Sequence, residues 1–187
     1  PSAATAAPLP SVALFAACLE AAITRCATAH VYADGNSERL LGSVVGDRRE
    51  SLIMATKAAY TGGAGRANIL ASAETSRQRL QLETLDVLYI HRFDPETPLE
   101  ESLGALAELK QQGHIRQIGL SNFAAWQVVK AAHLVADFGL EIGVIQPMYS
   151  LVNRQAEVEI LPMAPDFGHP VAPYSPRPLH HPAPSDA

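Results

Sequence analysis

The sequence predicts an α/β protein in which parallel strands alternate with helices, and three observations support this. From Ser11 to Leu161, short apolar segments alternate with longer segments of helical periodicity. The short segments are apolar at nearly every position, which is typical of strands covered on both faces. The strand-then-helix order repeats, and such crossover connections are right-handed and leave the strands parallel.

Five helix–strand pairs follow one another along this part of the chain. The predicted helices are Val12–Ala22, Ser37–Val45, Ala67–Leu82, Pro98–Gln112 and Ala124–Phe138. The strands predicted after them are Thr24–Ala29, Ser51–Lys57, Asp86–His91, Ile115–Leu120 and Gly143–Gln146. A sixth strand is predicted over Pro170–Tyr174.

The helix predicted over Pro98–Gln112 carries the clearest local signals. Thr97 is placed to cap it, Pro98 suits the first helical position, and Glu100 favours the positive end of the helix dipole. Leucines recur along one face at the spacing of a buried stripe, at positions 99, 103, 106 and 109. Gly113 is predicted to end the helix in a left-handed conformation.

Composition limits the possible partners. The 187 residues fit one domain, with 48% hydrophobic and 18% charged residues. A net charge of −5 without a Lys/Arg cluster argues against binding to nucleic acid or to an anionic membrane. The longest apolar stretch, Val12–Ile23, contains Glu20 and is too short to span a bilayer. Cys18 and Cys26 are predicted to be reduced core residues, so a cytoplasmic location is expected.

Proline and alanine dominate both ends of the chain. Eight of the fourteen prolines lie between Pro162 and Ala187, and proline at that density opposes helices and sheets. We therefore expect one domain over residues 11–176, with disordered tails at 1–10 and 177–187. His180 and His181 lie in the second tail, where no metal site is expected.

Polar side chains end three successive predicted strands. Tyr32 follows the first of these strands after a short turn, Lys57 ends the second, and His91 ends the third. If the strands are parallel, these groups converge on one mouth of a barrel. An open doubly wound sheet also fits the element order, but Gly62–Gly65 lacks the spacing and position of a dinucleotide-binding glycine motif. The pattern therefore favours an incomplete (β/α)8 barrel of the TIM-barrel type.

Several ordered motifs resemble the aldo-keto reductase family, from about residue 11 to residue 176. They are Thr28–Tyr32 with Gly35–Glu38 and Leu41-Gly42, Ala55–Lys57, Leu80–Leu88 with Ile90-His91, Gly119–Phe123, Gln146–Tyr149 and, more weakly, Pro173–Pro176. The resemblance implies a (β/α)8 enzyme that transfers a hydride between NADP(H) and a small-molecule carbonyl substrate.

The resemblance assigns catalytic roles to the three strand-end side chains. Tyr32 matches the proton donor, and Lys57 matches an amine that favours the phenolate of that tyrosine. His91 matches the imidazole that orients the carbonyl oxygen.

Other matched positions imply a cofactor site. Ser121, Asn122 and Gln146 match residues that bind the nicotinamide carboxamide. Tyr174 matches a ring that stacks on the nicotinamide, and Ser175 matches a pyrophosphate contact. Read without the resemblance, Ser121-Asn122 is an ordinary helix N-cap.

The chain departs from the family pattern in ways that predict weak activity. Ala27 stands where the family has the aspartate that pairs with the lysine, and Ala33 stands where glycine is usual. About six of the eight barrel strands are identifiable, so a barrel truncated at both ends is expected. Two alternatives stay open: a catalytically inactive relative that binds only a cofactor or a protein, and a lyase in which Lys57 forms a Schiff base.

Overall fold

The computed structural model of the chain describes residues 10–176, in which five parallel strands form one curled sheet. The strands are β1 (Arg25–Ala27), β2 (Ile53–Ala58), β3 (Leu85–Ile90), β4 (Ile115–Ser121) and β5 (Ile142–Gln146). They lie in chain order, and each pairs in parallel with the next. The prediction of an incomplete (β/α)8 barrel is confirmed.

Helices connect the strands and cover the outer face of the sheet. They are α1 (Pro10–Glu20), α2 (Asn36–Val45), α3 (Arg66–Leu80), α4 (Leu99–Gln111), α5 (Ala125–Ala136) and α6 (Ile160–Asp166). Helices α2 to α5 pack side by side in chain order. Within residues 10–176, no helix has both the length and the apolar character needed to cross a bilayer.

The two faces of the sheet are buried to different extents. The large core lies between the sheet and the helices and includes the leucine stripe of α4. The concave face carries a smaller cluster of Ala55, Val87, Tyr89 and Val144. Tyr89 lies across Gly119, its partner on β4, so closely that a Cβ atom at Gly119 would overlap the ring. The glycine therefore leaves room for a large side chain inside the curled sheet.

The prediction of a sixth strand over Pro170–Tyr174 is wrong. Only two isolated parallel bridges join this segment to the rest of the chain, between Ile145 and Val171 and between Met148 and Tyr174. The Ala172 N–H donates to the Ile145 carbonyl oxygen, but the next donor along β5 would be Pro147, which has no backbone N–H, so the ladder is interrupted before it resumes at Tyr174. The described residues therefore contain five strands of the barrel.

The beginning of α4 also differs from the prediction. Pro98 occupies the N-cap position, without a side-chain cap, while the Thr97 hydroxyl donates to Asp94 Oδ2 at 2.7 Å. Thr97 therefore stabilises the preceding turn rather than the helix. The expectation for Gly113 is confirmed, since its φ is 76°.

Asp86 links three strands at the amino-terminal edge of the sheet. Its Oδ2 accepts a hydrogen bond from the Met54 backbone N–H at 2.7 Å and lies 2.9 Å from Arg49 Nη1. Its Oδ1 lies 3.4 Å from Arg116 Nε. The carboxylate is nearly buried, and these partners compensate for its desolvation.

Disorder was expected for residues 1–10 and 177–187, and nearly all of these residues lie outside the described part of the chain. Pro10 is the exception, because it begins α1. His180 and His181 also lie outside the described residues.

Candidate active site

The carboxyl-terminal ends of the strands surround one cavity of about 360 Å³. Parallel neighbours end at the same edge of a sheet, so side chains that are far apart in the sequence meet there. The cavity is lined by Val31, Tyr32, Lys57, Tyr60, His91, Ser121, Asn122, Gln146 and Tyr174. Seven of the eight residues predicted for the site are in this set, and their chemical roles remain predictions.

Lys57 is buried at the base of this cavity. Its Nζ donates to the Thr28 carbonyl oxygen at 2.9 Å and to the Tyr32 hydroxyl at 3.5 Å. Within the described residues, no carboxylate lies within 4.0 Å of this amine. Burial lowers the pKa of Lys57 to about 8. The Thr28 carbonyl oxygen therefore binds the amine, and the neighbouring Ala27 offers no carboxylate to pair with it.

Tyr32 is partly exposed, and its pKa moves in the direction opposite to the one expected. Burial raises the pKa of Tyr32, and the phenols of Tyr174 and Tyr60 raise it further. The desolvation of a phenolate in this cavity opposes the stabilisation that the Lys57 ammonium was expected to provide. Tyr32 therefore keeps its proton at neutral pH and is a reluctant donor.

The turn that carries Tyr32 has an unusual backbone. Ala33, Asp34 and Gly35 follow it with φ values of 48°, 53° and 83°. The left-handed region is easy for glycine and unfavourable for alanine. The alanine at position 33 therefore introduces strain beside the predicted proton donor.

A buried network of an ion pair and hydrogen bonds connects the turn that carries Tyr32 to β2. Glu38 is 0% exposed; its Oε1 accepts from the Thr56 hydroxyl at 2.6 Å, and its Oε2 lies 3.2 Å from Arg79 Nη1. The same guanidinium nitrogen donates to the His30 carbonyl oxygen at 2.9 Å. Thr56 precedes Lys57, and His30 lies two residues before Tyr32. The network thus joins the segments that carry the amine and the phenol.

His91 directly follows β3 and faces the aromatic rings of the cavity. Its ring centroid lies 5.7 Å from that of Tyr32 and 4.7 Å from that of Tyr60. Burial lowers the pKa of His91 to about 4, with further contributions from the charges of Lys57 and Arg92. The imidazole is therefore neutral at physiological pH. Its Nδ1 is buried and has no hydrogen-bond partner among the described residues.

Ser121, Asn122, Gln146 and Tyr174 form the opposite wall. The Ser121 hydroxyl donates to the Gln146 carbonyl oxygen at 3.1 Å, and Asn122 Nδ2 donates to the His91 carbonyl oxygen at 2.9 Å. The Tyr174 hydroxyl donates to Asn122 Oδ1 at 2.6 Å. Gln146 Oε1 is buried without a hydrogen-bond partner within residues 10–176. This wall therefore offers an unused acceptor to a ligand.

Two parts of the site differ from the prediction. Ser175 has a φ of 56° and is absent from the cavity lining, so the structure does not place it with the other seven residues. Tyr60 lines the cavity and packs against the His91 ring at an interplanar angle of 51°, although it was not among the predicted site residues. Its position two residues after the end of β2 is the signal that could have identified it.

A curled parallel sheet with helices on its outer face and polar groups from successive strand ends around one cavity defines the class of (β/α)-barrel proteins. Within that class, the sequence profile of the Aldo/keto reductase family matches residues 7–182, and the chain belongs to this family.

Relatives of known name support the same assignment. The human aflatoxin B1 aldehyde reductase member 4 is 37% identical over 172 residues, which are 89% of this chain and 52% of the relative. Aldo-keto reductase YhdN of Bacillus subtilis (strain 168) is 35% identical over 165 residues, 83% of this chain and 48% of the relative. The L-glyceraldehyde 3-phosphate reductase of Escherichia coli (strain K12) is 35% identical over 129 residues, 65% of this chain and 37% of the relative. The chain spans about half the length of the first two.

Proposed function

We propose that the domain of residues 11–176 reduces an aldehyde or ketone to an alcohol with NADPH as the hydride source. The observation that carries this proposal is the meeting of a phenol, an amine and a neutral imidazole in one cavity. Tyr32 Oη and Lys57 Nζ are 3.5 Å apart, and the His91 ring lies beside the Tyr32 ring. Membership of the family supports carbonyl reduction, and the names of all three relatives describe them as reductases.

The opposite wall fits a nicotinamide carboxamide. The buried Gln146 Oε1 is an acceptor without a donor in the described part of the chain, and a carboxamide N–H₂ group supplies one. Ser121, Asn122 and the Tyr174 ring line the same cavity and would complete the site. The bound cofactor supplies a hydride to the carbonyl carbon. A preference for NADP over NAD follows from the family resemblance.

Side chains of this chain supply the proton that the substrate oxygen takes up. Negative charge develops on the substrate oxygen during reduction, and a hydrogen-bond donor beside that oxygen stabilises it. The Tyr32 hydroxyl donates its proton there, and the Lys57 ammonium stabilises the phenolate that remains. The neutral His91 imidazole donates a hydrogen bond that orients the same oxygen.

The first experiment measures turnover by the full chain. NADPH absorbance is followed with 4-nitrobenzaldehyde for the wild type, for Tyr32→Phe and for the matched control Tyr149→Phe. Tyr149 donates to Glu157 and does not line the cavity. We expect the first substitution to lower kcat at least ~100-fold, which is the contribution of a general acid, and the second to leave it unchanged. Equal rates for Tyr32→Phe and the wild type would reject Tyr32 as the donor.

The second candidate function is cofactor or protein binding without turnover, and Ala27 favours it because Lys57 has no acidic partner within residues 10–176. Titration with NADPH, followed by the fluorescence of Trp126, the only tryptophan, separates the two functions. Quenching without NADPH oxidation supports the second candidate. A lack of quenching at millimolar NADPH contradicts both cofactor-dependent functions.

A further inference from the structure

Lys57 is a buried amine whose hydrogen-bond partners in the described structure are neutral. The residue is 5% exposed, and its Nζ contacts a backbone carbonyl and a phenol. No carboxylate of residues 10–176 lies within ion-pair distance of it. A buried ammonium without a counter-ion is disfavoured relative to the neutral amine.

The same amine is accessible to a small electrophile through the cavity. Lys57 lines the space of about 360 Å³ that also contains Tyr32 and His91. The pKa of about 8 leaves a substantial fraction of the amine neutral near physiological pH. A desolvated lysine in such a pocket is a nucleophile toward carbonyl groups.

We infer that Lys57 forms reversible imines with small aldehydes that enter this cavity, a reaction separate from hydride transfer. The Nζ lone pair attacks the carbonyl carbon, and a proton passes from the resulting ammonium nitrogen to the carbonyl oxygen to give a neutral carbinolamine. Loss of that oxygen as water leaves a protonated imine, and addition of water reverses the sequence. The Tyr32 hydroxyl lies 3.5 Å from Nζ and is placed to donate the proton that the departing oxygen needs.

The small number of lysines makes the reaction easy to localise. The chain has three, Lys57, Lys110 and Lys130, of which the second and third lie on α4 and α5 outside the cavity. The full chain is incubated with 4-nitrobenzaldehyde and sodium cyanoborohydride at pH 7, without nicotinamide. Cyanoborohydride adds a hydride to the imine carbon and converts the imine to a stable secondary amine. Peptide mapping by mass spectrometry then measures the labelling of each lysine.

We expect Lys57 to be labelled at least ~10-fold faster than the other two lysines, because its burial in the cavity favours the neutral, nucleophilic amine. Equal labelling of the three lysines, or a lack of label on Lys57, would overturn the inference. The assay contains no nicotinamide, so its outcome does not depend on NADPH oxidation. A negative reductase assay therefore does not affect the labelling result, and a lack of label on Lys57 does not affect the reductase assay.

A pair of substitutions at position 27 tests the role of the missing charge. Ala27→Asp places an anion on the face that carries Lys57 and favours its ammonium form, so labelling of Lys57 should fall toward the rate of Lys110. Ala27→Asn has nearly the same shape without the charge and should retain fast labelling. If both variants lose the label equally, steric exclusion explains the loss and the electrostatic explanation is wrong.

Discussion

The side chains of Ala27 and Lys57 lie on the same face of the sheet, on neighbouring strands and two residues apart in register. Ala27 is the register partner of Ala55, and Lys57 lies two residues beyond Ala55 on β2. Side chains alternate along a strand, so positions 55 and 57 face the same side. Ala27 and Ala55 also line one cavity on the concave face. The position of the missing acid is therefore within reach of the amine.

We expect Ala27→Asp to raise the rate of NADPH-dependent aldehyde reduction about tenfold. The new carboxylate should hold the Lys57 ammonium in place beside Tyr32, and poorly placed catalytic groups lose much of their rate advantage. Steady-state kinetics with 4-nitrobenzaldehyde measures the change in kcat. Ala27→Asn is the uncharged control, and a similar kcat for both variants would contradict the proposed pairing.

Breaking the buried pair of Glu38 and Arg79 should destabilise the fold strongly. Glu38→Gln leaves a partly buried guanidinium without its counter-ion, and breaking such a pair typically lowers the free energy of unfolding by about 3 kcal/mol. Urea denaturation measures this loss. The control is Glu74→Gln, which removes an exposed carboxylate that pairs with Arg77 and should lower the same quantity by less than about 1 kcal/mol. Equal losses in the two variants would argue against a supporting role for Glu38.

Ala33→Gly should stabilise the protein, because it relieves a left-handed backbone at a residue with a Cβ atom. Part of the gain is offset by the greater freedom of glycine in the unfolded chain, so we expect a net increase of about 0.5 kcal/mol in the free energy of unfolding. Ala71→Gly, in the middle of α3, should instead lower it by about 1 kcal/mol. Thermal and urea denaturation of the two variants measure the difference. A loss of stability in Ala33→Gly would show that the turn is not strained.

His91 should make the fold less stable as the pH falls from 7 to 5. Its pKa is about 4 in the folded state and near 6.5 when exposed, so in this interval the unfolded chain takes up a proton that the folded chain does not. The contribution of His91 to the free energy of unfolding is therefore fully present above the pKa of the unfolded state. It is lost as the pH decreases toward the pKa of the folded state. Urea midpoints at both pH values should fall more for the wild type than for His91→Gln. Parallel shifts in the two proteins would contradict a neutral buried imidazole.

The sequence was sufficient to predict that the strand-end side chains lie close together, because parallel neighbours end at the same edge of a sheet. That rule needs only the strand order, and it brings together Tyr32, Lys57 and His91. The Glu38–Arg79 network was not predicted, since a contact between α2 and α3 has no local sequence signal. The raised pKa of Tyr32 was also missed, because desolvation depends on the shape of the whole cavity.

The carboxylate of Asp86 on β3 contacts Met54 of β2 and Arg116 of β4 at the amino-terminal edge of the sheet, opposite the cavity. These inter-strand contacts and the cavity therefore lie at opposite edges of one sheet. Substitutions around the cavity therefore leave the Asp86 contacts at the opposite edge in place.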